Sequence, residues 1–266
     1  MLRLDTKIAF ITGIGSVGEG WGNGRATATL FARQGATIFG TDINPAAADV
    51  TAETIVAEGG VCMVRRCDGT DSDAVAEAVR ACMARFGRID ILVNNVGGSA
   101  PGDPVSMDED VWDAQMDLNL KTVFLSCKHI LPIMQAQGSG VVVNVASVAG
   151  IRDQLGRDYI AYAASKAGVI RMSKAIAMSN AKKGIRCNTV VPGLMHTPLV
   201  EARLVRQIGG NDAEKLIAER NAKVPLGKMG DAWDVAHAVL FLASDEAKYV
   251  TATEIVVDGG VTAARA

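Results

Sequence analysis

Short apolar runs rich in β-branched residues alternate with longer stretches of helical periodicity along almost the whole chain. The runs KIAFIT (7–12), ATIFGT (36–41), VCMVRRC (61–67), IDILVN (89–94), GVVVNVA (140–146), IRCNTVV (185–191) and EIVVD (254–258) read as strands. Helices are expected near 24–34, 45–58, 71–86, 108–136, 159–182 and 231–243. Strands this apolar, separated by helices, indicate a parallel sheet covered on both faces and joined by right-handed crossovers. No linker, repeat or low-complexity segment interrupts the rhythm, so residues 1–266 are expected to form a single domain. The exception is 194–226, a long polar excursion with GGND at 209–212, expected to act as a substrate lid.

Composition narrows the function classes. The chain has 266 residues, 49% hydrophobic and 21% charged, with a formal net charge of −2. Acids and bases are mixed along it, which speaks against nucleic acid or an anionic membrane as partner. The five cysteines, Cys62, Cys67, Cys82, Cys127 and Cys187, form no CxxC pair and read as reduced, mostly buried thiols. Three scattered histidines give no ligand-like pair, and no metal is expected. With no apolar signal core at the start and no run of 18 apolar residues, the expected location is the cytoplasm.

The chemistry concentrates in SVAGIRDQLGRDYIAYAASKAGV. Tyr162 stands four residues before Lys166, so on a helix the two share a face about 6 Å apart along the axis. A neighbouring ammonium favours phenolate and makes tyrosine a usable proton carrier. Tyr159, seven residues before Lys166, returns to nearly the same face, and periodicity alone leaves both phenols open. Ser147 ends the apolar run upstream.

Two glycine patterns overlap after the first strand. Gly13, Gly15 and Gly18 spell GxGxxG, but the third glycine is followed by Glu19, Gly20 and Trp21 rather than by helical periodicity, which starts only at Arg25. The pyrophosphate of a dinucleotide is therefore expected at Gly22, Asn23 and Gly24, where the helix begins. Asp42 ends the second strand 18 residues after Gly24, placed to accept bonds from the adenosine ribose and to repel a 2′-phosphate. NAD is the expected cofactor.

With TG…GNG, Asp42, NNVG (94–97), NVAS (144–147), YAASK (162–166) and PGLMHT (192–197) in order, the chain resembles the short-chain dehydrogenase/reductase family over nearly its full length. The resemblance implies an α/β, Rossmann-type doubly wound sheet of seven parallel strands with helices on both faces. It implies that Ser147 holds the substrate oxygen, Tyr162 exchanges its proton, Lys166 binds the nicotinamide ribose and lowers the tyrosine pKa, and Asn119 holds a water in the relay. Asp68 with Gly69 would face the adenine. Gly13, Asn95, Gly97, Pro192 and Gly193 would line the cofactor cleft, and the Met195 backbone with Thr197 would receive the carboxamide. The chain departs from the family in a glycine loop about five residues longer than usual, in Val96, where alanine is more typical, and in a slightly long stretch between Ser147 and Tyr162.

A long glycine loop and a tyrosine at position 159 are also features of the enoyl reductase branch. Tyr162 is preferred, because seven helical residues separate Tyr159 from Lys166 by about 10.5 Å and because that branch does not typically place a serine at the Ser147 position. Tyr159 becomes a packing aromatic or a pocket wall. His196 reads as a lid residue without chemistry or as a substrate contact. Arg152 and Arg157, beside Asp153 and Asp158, read as solvated or as attracting a carboxylate, and Glu19 and Trp21 as a cover over the adenosine or as surface packing. Ala161, Ala163, Ala164, Ala167 and Gly168 suit close packing of the catalytic helix, which in this family implies a subunit interface, commonly of a homotetramer. The expected activity is NAD(H)-dependent interconversion of a small secondary alcohol and its ketone. A 3-oxoacyl thioester or enoyl reductase, a non-catalytic NAD-binding protein and a methyltransferase are the alternatives.

Overall fold

The computed structural model describes residues 2–152, 158–200, 202 and 213–264. Seven strands form one parallel sheet in the order β3-β2-β1-β4-β5-β6-β9. They are β1 (Ile8–Thr12), β2 (Thr37–Asp42), β3 (Val61–Arg66), β4 (Ile91–Asn94), β5 (Gly140–Val145), β6 (Ile185–Pro192) and β9 (Glu254–Val257). All seven expected strands are present, and the sheet is covered on both sides. The central strands β1 and β4 are buried at every position, while the edge strand β3 alternates, leaving Val61 and Met63 exposed.

Helices α1 (Asn23–Arg33), α2 (Pro45–Ala57) and α8 (Ala232–Ala243) supply Ala26, Phe31, Ile55, Val235 and Val239 to the core on one face. Helices α3 (Ser72–Phe86), α5 (Thr122–Gln137) and α6 (Ile160–Asn180) supply Val79, Cys82, Ile130, Val169 and Ala177 to the other. Local signals set the ends. Asn44 caps α2 ahead of Pro45, Asp71 caps α3, and Asp231 forms a reciprocal capping box with Asp234 on α8.

Strand order reverses between β1 and β4, which opens a crevice at their carboxyl ends. The glycine loop leaves β1 into it, and NNVG leaves β4 beside it.

Two expected elements differ. The helix expected over 108–136 consists of α4 (Glu109–Met116), a π-helical turn (Asp117–Lys121) and α5. The segment 194–226 is not an unbroken excursion: it holds β7 (Met195–His196), paired in parallel with β8 (Gly230–Asp231), and α7 (Ala213–Ala222). The second difference follows from composition, since AEKLIAERNA consists largely of strong helix formers despite its polarity. GGND at 209–212 lies outside the described residues.

No helix among the described residues is long and apolar enough to cross a membrane. Cys67, Cys82, Cys127 and Cys187 are buried, Cys62 is half-buried, and all five are free thiols. Burial pushes the Cys62, Cys82 and Cys127 thiols up to about 12.

Candidate active site

Two cavities at the carboxyl edge of the sheet share Asn23, Asn95, Gly97, Thr197 and Leu199 as walls and form one continuous cleft. The first, of about 260 Å³, is lined by Gly13, Gly22, Gly24, Asp42, Asp68 and Gly69 among others. The second, of about 170 Å³, is lined by Ser147, Tyr159, Tyr162, Lys166 and the 192–200 segment.

At the first cavity, Gly22 is the N-cap of α1 in extended conformation, with no side-chain cap and no acid in the first turn. The amides of that turn are left to whatever lies in the cleft. A Cβ on Gly24 would sit 1.9 Å from the Gly13 carbonyl oxygen, so glycine alone allows the helix to start this close to β1. Gly15 has a different constraint: its N–H donates to Asp42 Oδ2 at 2.9 Å, and a Cβ there would meet the Ala47 Cβ at 2.7 Å. Gly18 and Gly20 lie on the exposed extension, where added Cβ atoms would touch only Pro198. Asp42 Oδ1 accepts the Asn44 N–H at 2.9 Å, fixing the carboxylate at the strand end. Bonds from the Thr70 hydroxyl and N–H hold the Asp68 carboxyl below its ordinary pKa.

The extension is pinned from outside the cleft. Trp21 packs on Trp233 of α8 with ring centroids 4.7 Å apart, and the Arg25 guanidinium covers Trp21 while donating to the Gly20 carbonyl. Trp21 is therefore a packing residue and lines neither cavity; Glu19 is exposed.

At the second cavity, three elements meet. Ser147 follows β5 in extended conformation and caps the short 3-10 turn Val148–Gly150. That turn rests directly on α6, since a Cβ on Gly150 would lie 2.7 Å from Lys166 C and Ala167 N. Tyr162 and Lys166 sit in the first turns of α6. A buried polar chain sets the depth of this helix: Asn94 on β4 donates to Asn144 Oδ1 on β5, and Asn144 Nδ2 donates to Ser173 Oγ on α6, at 2.8 and 2.7 Å. Its members are nearly or wholly inaccessible, and such bonds are costly to misplace.

Asn119 lies in the π-helical turn, fully buried. Its Oδ1 accepts the Gly98 N–H and its Nδ2 donates to the Gly98 carbonyl, both at 3.0 Å. A Cβ on Gly97 would be 2.9 Å from both Asn119 Oδ1 and Lys166 Nζ, so glycine there lets the two groups converge. The Lys166 ammonium donates to the Val145 carbonyl at 3.1 Å and lies 5.9 Å from the Tyr162 ring centroid. Burial lowers its pKa to about 8. The Tyr162 phenol is raised above its ordinary value, first by burial, with a bond to Ser147 opposing this. The expected lowering of the phenol by Lys166 is thus not expressed in this geometry, because the ammonium faces Val145 and desolvation of the ring outweighs the rest.

Tyr159 is the N-cap of α6, not a member of the helix, and its backbone bridges Gly102. It is buried and also lines the cavity, so packing and pocket wall both describe it. Pro192, Gly193, Met195 and Thr197 lie along the same wall. His196 is exposed and outside the lining. Arg152 is half-buried, and its guanidinium donates to the carbonyls of Val261 and Ala264, tying it to the C-terminal segment. Asp158 is exposed, and Asp153 and Arg157 lie outside the described residues. Among the described residues no three His, Cys, Asp or Glu side chains gather as a metal site would require.

Relatives agree with this architecture. A model of the family described as enoyl-(acyl carrier protein) reductase matches residues 18–262. The solved structure of a short-chain dehydrogenase/reductase from Burkholderia xenovorans is 49% identical, with a TM-score of 0.92 and 99% of each chain covered. The 3-oxoacyl-[acyl-carrier-protein] reductase of Thermotoga maritima is 39% identical over 260 residues, 98% of this chain and 99% of its own. The 2-(R)-hydroxypropyl-CoM dehydrogenase of Xanthobacter autotrophicus is 37% identical over 262 residues, 97% of this chain and 99% of its own. Fold, site architecture and full-length similarity together make this chain a member of the short-chain dehydrogenase/reductase family, an oxidoreductase acting on CH–OH groups.

Proposed function

We propose that the enzyme interconverts a secondary alcohol and a ketone with NAD(H). The observation that carries this reading is that Ser147, Tyr162 and Lys166 line one cavity, with Asn119 bonded to its Gly98 wall, and that this cavity opens into the one holding Asp42. The cleft suits a dinucleotide. Ser16 Oγ and Asn23 Oδ1 are buried polar atoms without a protein partner, both residues line it, and α1 directs an uncapped N-terminus there. Gly22, Asn23 and Gly24 hold the pyrophosphate, with Gly13 beneath them. Asp42 takes the adenosine ribose hydroxyls, and its charge disfavours a 2′-phosphate. Asp68 and Gly69 face the adenine, Asn95, Gly97, Pro192 and Gly193 line the path, and Met195 and Thr197 take the carboxamide.

When bound, the nicotinamide accepts or supplies the hydride. In oxidation Ser147 holds the substrate hydroxyl and Tyr162 Oη takes its proton. Lys166 binds the nicotinamide ribose, and the proton leaves through Lys166 and the water held at Asn119. The 194–226 segment acts as the substrate lid, and four copies associate through α6 and its small residues, although Gly168 packs within the chain against Leu120.

Reduction of a 3-oxoacyl thioester is the second reading, favoured by the Thermotoga maritima relative. A panel of secondary alcohols, ketones, 3-oxoacyl thioesters and enones, each with NAD and NADP, tests both. Turnover of alcohols or ketones with NAD preferred is expected. Turnover confined to enones, or a preference for NADP, would sink the first reading.

A further inference from the structure

Tyr159 is only 9% exposed, and the reaction above leaves its hydroxyl without a task. The backbone fixes its place. Tyr159 caps α6 and its carbonyl accepts the Ala163 N–H at 2.8 Å, while the residues on either side bond to Gly102, Asp158 through its carbonyl and Ile160 through its N–H. The ring packs against that of Tyr162 and lines the cavity that also holds Ser147. Among the described residues the Tyr159 hydroxyl has no hydrogen-bond partner, although a buried tyrosine ordinarily finds one. Phenylalanine would supply the same ring packing. The hydroxyl is therefore left to what enters the cavity.

Two other hydroxyls serve the reacting oxygen. Ser147 is bonded to the Tyr162 phenol, and the nearby Tyr159 phenol adds to the upward shift of Tyr162, as one acid beside another does. The two phenols thus stand close enough to hold two oxygens of a single small molecule. In a cavity of about 170 Å³ those oxygens belong to carbons that are neighbours or one apart. Leu194, Leu199 and Val200 on the same walls offer a polar group nothing, so a second substrate oxygen is desolvated at a cost unless a donor such as Tyr159 meets it.

We propose that the substrate is a small secondary alcohol or ketone bearing a second oxygen, a hydroxyl or a carbonyl, one or two carbons from the reacting one, and that Tyr159 Oη donates to that second oxygen. This rests on the assignment of Ser147 and Tyr162 as the reacting centre. Tyr159 is a specificity residue here: it orients the substrate and keeps its own proton, and the chemistry at carbon remains with the tetrad.

The test uses secondary alcohols of one chain length, and their ketones, with a second hydroxyl on the adjacent carbon, on the next carbon, or replaced by a methyl group, assayed with the wild type and Tyr159→Phe. The wild type is expected to favour at least one member with two oxygens over its methyl analogue. Tyr159→Phe removes one oxygen atom and keeps the ring. It should lower the ratio of kcat/KM for that member to that for the methyl analogue by about three- to tenfold, mainly through KM. A wild type that prefers the methyl analogues throughout, or a Tyr159→Phe ratio equal to the wild type's, overturns the proposal. Binding of the ketones to the enzyme–NADH complex, read by NADH fluorescence, separates this from failure of the reaction assignment. Selectively weaker binding of the hydroxyketones by Tyr159→Phe supports the proposal even if nothing in the series turns over. Loss of turnover for every member with the binding ratio unchanged would make Tyr159 the proton donor, and overturns it.

Discussion

The rings of Tyr159 and Tyr162 meet edge to face, with centroids 6.5 Å apart and planes at 69°. Two phenols thus border one cavity, but only Tyr162 lies within the helix that carries Lys166. Tyr162→Phe is expected to reduce kcat by about 10²- to 10⁴-fold while leaving NADH binding, followed by fluorescence titration, nearly unchanged. Tyr159→Phe should keep most of kcat and act on KM. A folded Tyr159→Phe enzyme without turnover, or an active Tyr162→Phe enzyme, would reverse the two roles.

Lys166 carries a stability cost with a definite pH sign. Burial lowers its pKa from 10.5 to about 8, so the folded chain holds this proton less tightly than the unfolded chain. Below pH 8 both states are charged and the full cost is present; between 8 and 10.5 only the unfolded chain stays charged, and stability from this group rises. The cost is at most about 3 kcal/mol, less whatever the bond to Val145 returns. Lys166→Met should therefore be more resistant to urea than the wild type at pH 7, with the gap narrowing at pH 9.5. A less stable variant at pH 7 would show that the ammonium is well solvated in place.

The two glycine registers make opposite demands. Gly24→Ala drives a Cβ into the Gly13 carbonyl and should either unfold the start of α1 or raise the NADH dissociation constant about tenfold or more. Gly18→Ala meets only the Pro198 Cβ at 3.4 Å, an ordinary contact, and NADH affinity should be retained. Isothermal titration of both variants decides the register. Loss of affinity in Gly18→Ala alone would return the pyrophosphate to the GxGxxG reading.

Asp42→Asn keeps an acceptor for one backbone N–H but removes the charge at the ribose end of the cleft. The ratio of kcat/KM with NADP to that with NAD should rise about tenfold or more, as expected when a like charge is taken from a phosphate. An unchanged ratio would mean that selectivity between the two cofactors is set elsewhere.

The sheet was readable because every strand is a short apolar run ended by a turn, and helix caps such as Asn44-Pro45 and Asp71 are local signals. The start of α1 was readable for the same reason: periodicity resumes only after Trp21. Three features depended on contacts between distant positions. Arg220 lines the cavity from α7, far along the chain from Ser147 and Tyr162, and Trp21 finds Trp233 on a helix 212 residues away. The phenol's pKa depends on desolvation, which no spacing of Tyr and Lys encodes. The π-helical turn escaped because an inserted residue leaves the apolar pattern continuous on either side of it.

That turn has a mechanical consequence. An extra residue in one helical turn rotates everything beyond it by about 100° relative to an uninterrupted helix. The two halves of the long rod can then answer to different neighbours: α4 lies against α6, and α5 lies against α3. Asn119 sits at the point of phase change, gripping the Gly98 backbone with both arms of its amide. Removing one residue from Asp117–Lys121 would leave a better helix by every local measure, but it would turn either the α4 face or the α5 face away from its partner. The irregularity works as a gearing between two packing surfaces, and Asn119 is the tooth where they mesh.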